Sequence, residues 1–418
     1  MTPNLEACHA FRRVAVFGPY VSRNLGDTAT QIAVIQNLQE RRPSLKILGV
    51  SPDPEDTLCS LGIPTFPLTG LGPIAGDLLP FKDFSAISGS TAKGRPYSPM
   101  VIIRIARFVR TLDMLIVSGG GQLDDFWGGP WGHPWSMLLW TALARAMGVP
   151  VVYLGVGLDV LKTRLSQRFS LMALRMASQR LFRDIGSLDS LRALGLNHDS
   201  SVCPDLAFSL TEDMLTTVDA PDSTKRFAII SPISRKTWSH QGTDIHAHYM
   251  RALSEVSLEL AARGLSLRIV CSQSSMDLDD AELLATQLRN AGVSEIQVHH
   301  APRVTDFIHL VRGAEIVVAS RLHGVILSLV AGCPVLALAH LAKVEAVMHD
   351  IGLDAYCLPL QRASSARLCA LAGQILEQGP ALREHISKEV TGFRTRLATT
   401  FDEIAMLSDA SNIRRGPL

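Results

Sequence analysis

The 418-residue chain predicts two successive α/β units built on parallel sheets, and three observations carry that reading. The chain is about three times the commonest domain length, which favours two domains over one core. Along it an apolar run, a loop and an amphipathic segment recur, the signature of strands alternating with helices. The alternation restarts at Phe227 after the polar stretch 219–226, which puts the boundary near 215–226. Composition agrees: 47% hydrophobic and 19% charged residues exclude wholesale disorder. With 40 Lys and Arg against 39 Asp and Glu the net charge is +1, so no global field favours nucleic acid. An anionic ligand would need a local site.

In order, Val14–Phe17 reads as a buried first strand, followed by a Gly-Asp loop and a helix from about Thr28 to Arg41. Leu45–Val50 is the next strand. Leu112–Val117 runs into Gly119-Gly120-Gly121, a helix spans about Trp135–Met147, and Val151–Gly155 is a further strand. Between them, Ile87–Pro99 is a Gly-, Ser- and Pro-rich surface loop. The second series comprises strand Phe227–Ile230, helix Tyr249–Arg263, strand Leu267–Cys271, helix Leu278–Ala291, strand Ile296–His299, helix Thr305–Gly313 and strand Ile316–Ala319. The segment Ser364–Leu407 has a helical period and is expected to pack across the back of one or both domains.

Gly324–Ala342 contains no Asp, Glu, Lys or Arg and approaches the ~20 residues of a membrane span. Gly332-Cys333-Pro334 interrupts it, so a helix ending at Ala331 and a short strand Val335–Ala339 are expected instead. The seven cysteines are scattered without a C-x-x-C pair and read as reduced thiols. The apolar run after Arg12-Arg13 is too short for a signal-peptide core, and a cytoplasmic protein is expected.

Several clusters could carry chemistry at strand ends, where open parallel sheets bind ligands. In Asn24-Leu25-Gly26-Asp27-Thr28, Gly26 allows close approach, while Asp27 either caps the helix or accepts a sugar hydroxyl. Gly119, Gly120 and Gly121 follow a strand, and their N–H groups suit an anion or a closely packed substrate. Phe126, Trp127, Trp131 and Trp135 lie among glycines as a stacking platform for carbohydrate or lipid, or as anchors of their own loop.

Ser320-Arg321-Leu322-His323-Gly324 closes an apolar strand and opens an apolar helix, with Lys343 after the next strand. An arginine fork and a helix N-terminus together make an anion site, where His323 could exchange a proton. The alternative is that Arg321 and His323 satisfy backbone carbonyls. Arg235-Lys236 follows the first strand of the second domain and is expected to face the same cleft, with surface solvation as the ordinary alternative. His246 and His248 have no acidic or cysteine partner at metal-ligand spacing nearby. Asp277, Asp279, Asp280 and Glu282 read as a solvated helix start.

Taken in order, these pieces resemble the polysaccharide pyruvyl transferase family over most of residues 14–352. The resemblance rests on Asn24-Leu25-Gly26-Asp27, Ser118–Gly121 with Leu123 and Asp125, and Gly155-Val156-Gly157. It continues with Arg183-Asp184, Ser187 and Leu191, then Pro204-Asp205-Leu206-Ala207-Phe208, Arg321-Leu322-His323, Gly332-Cys333-Pro334-Val335 and Lys343. Residues 52–99 and the Trp-rich segment 127–140 match no family feature, and acceptor choice is expected to lie there.

The resemblance implies two Rossmann-like domains of glycosyltransferase-B type with the active site in the cleft between them. Residues 1–218 would form the acceptor side, 219–363 the donor side, and 364–418 a helical segment and tail. It implies transfer of a ketal-forming pyruvyl group from phosphoenolpyruvate to a sugar of a surface polysaccharide or its lipid-linked precursor, the latter at the inner face of the membrane. Arg321, His323 and Arg235 would hold the donor, assisted by Lys343. His323 is the catalytic candidate and Asp27 the acceptor-side one, with Asn24, Gly26, Gly119, Gly120, Gly121 and Trp131 as further substrate contacts. No metal or cofactor is expected. A nucleotide-sugar glycosyltransferase of the same architecture is the alternative.

Overall fold

The computed structural model describes residues 13–18, 24–78, 97–126, 128–211, 214, 225–234 and 243–412. The chain divides into two compact units, one formed by 1–22, 30–209 and 395–418, the other by 23–29 and 210–394. Residues 87–96 of the expected surface loop, the boundary segment 215–224, Trp127 and Arg235-Lys236 lie outside the described residues.

Unit 1 holds strands β1 (Arg13–Phe17), β2 (Lys46–Ser51), β3 (Thr65–Pro67), β4 (Met114–Ser118), β5 (Val151–Val156), β6 (Gln179–Phe182) and β7 (Ser201–Val202). They form one parallel sheet in the order β3-β2-β1-β4-β5-β6-β7. Its central strands are apolar at nearly every position because helices cover both faces. These are α1 (Leu25–Arg41), α2 (Pro54–Leu61), α3 (Pro99–Val109), α4 (His133–Ala146), α5 (Arg164–Met176) and α6 (Ile185–Ala193). Ser98, expected in a loop, caps α3, its hydroxyl accepting from Val101 N at 3.4 Å. In the core, Phe66 stacks on Phe108 at 4.4 Å and both meet Trp140 edge-on. The Trp140 indole donates to Leu68 O at 2.9 Å.

Unit 2 repeats the design with β8 (Phe227–Ser231), α7 (Thr243–Ala262), β9 (Ser266–Cys271), α8 (Ser274–Asn290), β10 (Ile296–His300), α9 (Val304–Val311), β11 (Ile316–Ala319), α10 (Leu322–Val330), β12 (Val335–Ala339), α11 (Ala342–Asp350) and β13 (Cys357–Pro359). The sheet is parallel in the order β10-β9-β8-β11-β12-β13, so the chain reverses direction across the sheet between β8 and β11. Gly324–Ala342 adopts the expected helix, Gly-Cys-Pro break and strand. Among the described residues no helix is long and apolar enough to cross a membrane.

Three expectations shift. Helix α1 begins at Leu25, so Asn24 rather than Asp27 is its cap: Asn24 Oδ1 accepts from Gly26 N at 3.1 Å, and Asn24 Nδ2 donates to Asp27 at 2.7 Å. Helix α8 begins at Ser274, which draws Asp277 and Asp280 into the fold; both are buried. The helix expected from about Trp135 begins earlier, at His133, as α4, and Gly129–Trp131 before it forms a short 3-10 turn where a loop was expected.

The C-terminal segment forms α12 (Ser365–Glu377) and α13 (Gly379–Asn412). Arg383 on α13 donates to Gly332 O and Ala314 O within unit 2. Further along the same helix, Asp402 pairs with Arg41 at 2.7 Å, and the Ala398 carbonyl accepts from Arg41 at 3.0 Å, within unit 1.

His133 opens α4 inside the unit 1 core, its Nε2 2.9 Å from Gln122 Oε1. Burial drives its pKa down from 6.5 to about 4, the bond to Gln122 pulling weakly the other way. The unfolded chain therefore binds the proton first as acid is added. The stability from the neutral ring is complete above about pH 6.5 and is lost as pH falls towards 4. The wild type should lose up to about 3 kcal/mol more than His133→Gln across that interval, read from urea unfolding curves.

Candidate functional site

In unit 2 the site grows from the carboxyl ends of β8, β9 and β11, where the strand order reverses and ligands bind in such sheets. After β11, Ser320 and Arg321 leave the sheet in extended backbone, and Arg321 is the residue before α10. Its guanidinium is not an open fork. Nε donates to Asp277 Oδ2 at 2.5 Å and Nη2 to Asp277 Oδ1 at 2.6 Å. Asp277 is fully buried on the first turn of α8, and its Oδ1 also accepts from Ser234 N at 2.9 Å. The expected solvated helix start is therefore a buried carboxylate that fixes an arginine. Removing a charge from the surface of α8 would cost little; here both oxygens are committed.

Tyr249 on α7 ties the same strand ends together. Its hydroxyl accepts from Ile233 N at 2.9 Å and lies 2.9 Å from Ser320 Oγ. Burial pushes the phenol pKa further up, so it stays neutral. His340, at the end of β12, has Nδ1 2.9 Å from the Ser320 carbonyl. Three elements thus converge on Ser320-Arg321 before any ligand is considered.

His323 lies in the first turn of α10, partly exposed. Its ring packs against the first turn of α1: a Cβ added to Gly26 would lie 2.0 Å from His323 Nδ1. Only glycine fits at position 26 with the imidazole in place. Asn24, Gly26, Asp27, Arg321 and His323 therefore all belong to unit 2, and Gly26 meets His323 directly. Lys343 stands in the first turn of α11, after β12, and is half-buried. A Cβ at Gly324 would sit 3.4 Å from Ser231 Oγ and 3.6 Å from Ser272 Oγ, both hydroxyls buried.

The other expected contacts lie in unit 1. Gly119 and Gly120 are buried with positive φ, and the Gly119 N–H is already used by Leu154 O at 2.9 Å. A Cβ at Gly119 would meet Thr30 Oγ1 at 2.4 Å, and one at Gly121 would meet Asp159 at 1.9 Å. These glycines serve close packing at the end of β4, where open N–H groups were expected. Trp131 packs with Trp135 and Phe169 at ring distances of 5.3–5.4 Å, half-buried, while Phe126 is exposed. At the ends of β5 and β6, buried Arg183 lies 3.6 Å from Asp184 and 3.8 Å from Asp205. A Cβ at Gly157 would meet its Nη2 at 2.4 Å.

His246, expected to have no acidic neighbour, lies 3.0 Å from Asp280, which sequence separation had hidden; His248 Nε2 is 2.7 Å from Ala363 O. Among the described residues no group of three or more His, Cys, Asp or Glu could hold a metal. Sequence reasoning missed Asp277, Tyr249 and His340. The available signal was Asp277 following a strand end by six residues, the spacing that brings a helix's first turn back over the sheet.

Asp277→Asn should replace the ion pair to Arg321 with a weaker contact to a neutral amide. Cutting a buried ion pair costs about 3 to 5 kcal/mol, and the partial exposure of Arg321 puts the expected loss at the lower end. Denaturant unfolding of the variant reads this, and a change within error would show that Asp277 is not the anchor.

No curated protein was found to match the sequence. Among solved structures, UDP-GlcNAc 2-epimerase from Neisseria meningitidis bound to UDP-GlcNAc is similar with a TM-score of 0.60 at 12% identity, over 95% of this chain and 99% of that one. A putative UDP-N-acetylglucosamine 2-epimerase from Listeria monocytogenes gives 0.58 at 12%, over 94% and 98%. A ugt transferase from Siraitia grosvenorii in complex with UDP gives 0.51 at 12%, over 95% and 100%. At this identity the likeness is one of fold: two Rossmann-like parallel-sheet domains of the glycosyltransferase-B kind. At the level of sequence family, residues 24–341 match Polysaccharide pyruvyl transferase. That span contains Asn24, Gly26, Asp277, Arg321 and His323 in the order the fold uses them, and the chain belongs to the polysaccharide pyruvyl transferase family.

Proposed function

We propose that this transferase moves a pyruvyl group from phosphoenolpyruvate to a hexose or related sugar of a surface polysaccharide or its lipid-linked precursor, closing a ketal, in the cytoplasm. The observation that supports it most is the Arg321–His323 turn: a cation held rigid by Asp277, beside an imidazole, at a helix start. Phosphoenolpyruvate carries a carboxylate and a phosphate. Fixed cations and the donors of a helix N-terminus offset the desolvation of both.

In this reading the donor lies on unit 2. Asp277 holds the Nε–Nη2 edge of Arg321 in place, and the anion is neutralised by Arg321 together with Lys343 and Arg235. The methylene carbon of phosphoenolpyruvate accepts a proton from His323 and becomes a methyl group, leaving C2 electrophilic. One sugar hydroxyl adds to C2 and loses its proton, with Asp27 the acceptor-side candidate to receive it. Phosphate departs with the electrons of the C2–O bond, stabilised by the arginines. The second hydroxyl then adds and loses its proton, completing the ketal. On unit 1, Gly119, Gly120 and Gly121 shape the strand end for the acceptor, and Trp131 offers it a stacking face.

Ligand-induced thermal stabilisation tests the donor: phosphoenolpyruvate should raise Tm, whereas a rise with a UDP-sugar alone would favour nucleotide-sugar transfer. Arg321→Lys keeps the charge but cannot bridge both Asp277 oxygens and still face an anion. Its kcat/KM should fall roughly ten- to a hundredfold, the worth of one charge-assisted bond, and an unchanged value would remove Arg321 from the donor site.

His323→Asn tests proton transfer. kcat should drop by roughly 10²-fold or more while donor affinity changes far less. Loss of donor binding with kcat intact at saturation would make His323 a positioning residue.

A further inference from the structure

We propose that the outer face of the α3–α4–α5 layer in unit 1 docks on an anionic phospholipid bilayer. This goes beyond the pyruvyl-transfer reading and does not depend on which donor is used. The charge distribution is the first observation. From Tyr97 to Arg183 the chain carries ten Arg and Lys against four Asp, and with Arg104, Arg180 and Arg183 buried, seven of these cations are exposed. Helices α3, α4 and α5 contain no Asp or Glu at all. They pack side by side, α3 on α4 and α4 on α5. Right-handed crossovers between successive parallel strands put all three on one side of the sheet.

The side chains on the outer face are the second observation. Arg107 on α3, Arg145 on α4, and Arg164, Arg168 and Arg175 on α5 are exposed. On α5 they recur at spacings of four and seven, one stripe of the helix. Apolar groups stand among them where a lone soluble domain gains nothing from showing them: Met100 is 65% exposed, Ile103 53%, Phe126 72% and Val160 62%. Phe126 and Val160 belong to adjoining loops, since Asp125 N donates to Val160 O.

Direction is the third. Each of the three helices begins near the carboxyl end of the sheet. Met100, Ile103, Phe126 and Val160 therefore cluster at that end, and Arg107, Arg145 and Arg175 follow further down the helices. An apolar edge with flanking arginines is the composition of a surface that enters the headgroup layer. Apolar tips reach the acyl boundary and guanidinium groups meet lipid phosphates. Nucleic acid would use the charges and leave Met100, Ile103, Phe126 and Val160 in water.

Co-sedimentation with vesicles of phosphatidylcholine alone, and of phosphatidylcholine with phosphatidylglycerol, tests this in the full chain without any donor. The wild type should bind only the anionic vesicles, and salt should weaken binding. Arg107→Gln/Arg164→Gln/Arg168→Gln should lower the partition coefficient by roughly a hundredfold, since each surface charge contributes about fivefold. Arg251→Gln/Arg289→Gln/Lys388→Gln, with the same charge change on exposed positions of unit 2, should bind like the wild type. Met100→Ser/Ile103→Ser should weaken binding at every salt concentration. No binding to anionic vesicles, an equal loss in both arginine sets, or unaltered binding in the Met100/Ile103 variant would overturn the proposal. Retained turnover on a soluble acceptor alongside lost vesicle binding separates this surface from the chemistry.

Discussion

The pair between Arg321 and Asp277 is the constraint on which the rest of the site depends. An arginine between an apolar strand and an apolar helix has nowhere to place its charge unless a carboxylate comes to it. The carboxylate arrives from a helix that follows a different strand of the same sheet. Both Asp277 oxygens are used, one of them also by the Ser234 amide. The strand ends of β8 and β11 and the first turn of α8 are thereby locked to one point. Tyr249, bonded to Ile233 and near Ser320, repeats the tie a few ångströms away. A cation fixed in this way loses little freedom when an anion binds, and that is how a surface turn becomes a preorganised one.

The second constraint is steric. His323 and the first turn of α1 approach so closely that Gly26 has room for a hydrogen and nothing larger. Helix α1 is anchored in two directions: its first turn belongs to unit 2 and its remainder to unit 1. Asn24 fixes where the helix starts, and so fixes which residue presents its missing side chain to the imidazole.

Much of this was legible in the sequence, for identifiable reasons. Buried parallel strands are continuous apolar runs, so β1, β8, β11 and β12 read with little ambiguity. The Gly332-Cys333-Pro334 break marked a helix-to-strand junction that a membrane span would not tolerate. The family motifs marked Asn24, Gly26, Arg321 and His323, and the fold gathers these into one unit. Asp277 was not legible because its neighbours Asp279, Asp280 and Glu282 make it look like one more solvated charge. Only packing against β11, 44 residues away in sequence, distinguishes it. The glycines after β4 were legible as special but not in their role. Close contact with Thr30 and Asp159 depends on side chains that arrive from elsewhere in the chain.

The division of the chain between units bears on how the protein is made. Residues 210–394 emerge from the ribosome as an unbroken run and carry the whole six-stranded sheet of unit 2. The segment 23–29 that completes this unit, with the first turn of α1, has been synthesised long before. Unit 1 has all its strands by residue 202, yet Arg41 meets Asp402 across a separation of 361 residues. Its helical segment 395–412 follows the whole of unit 2 in the sequence. The unit translated first is therefore finished second, and throughout synthesis of the other its α1 surface waits for residues 395–412.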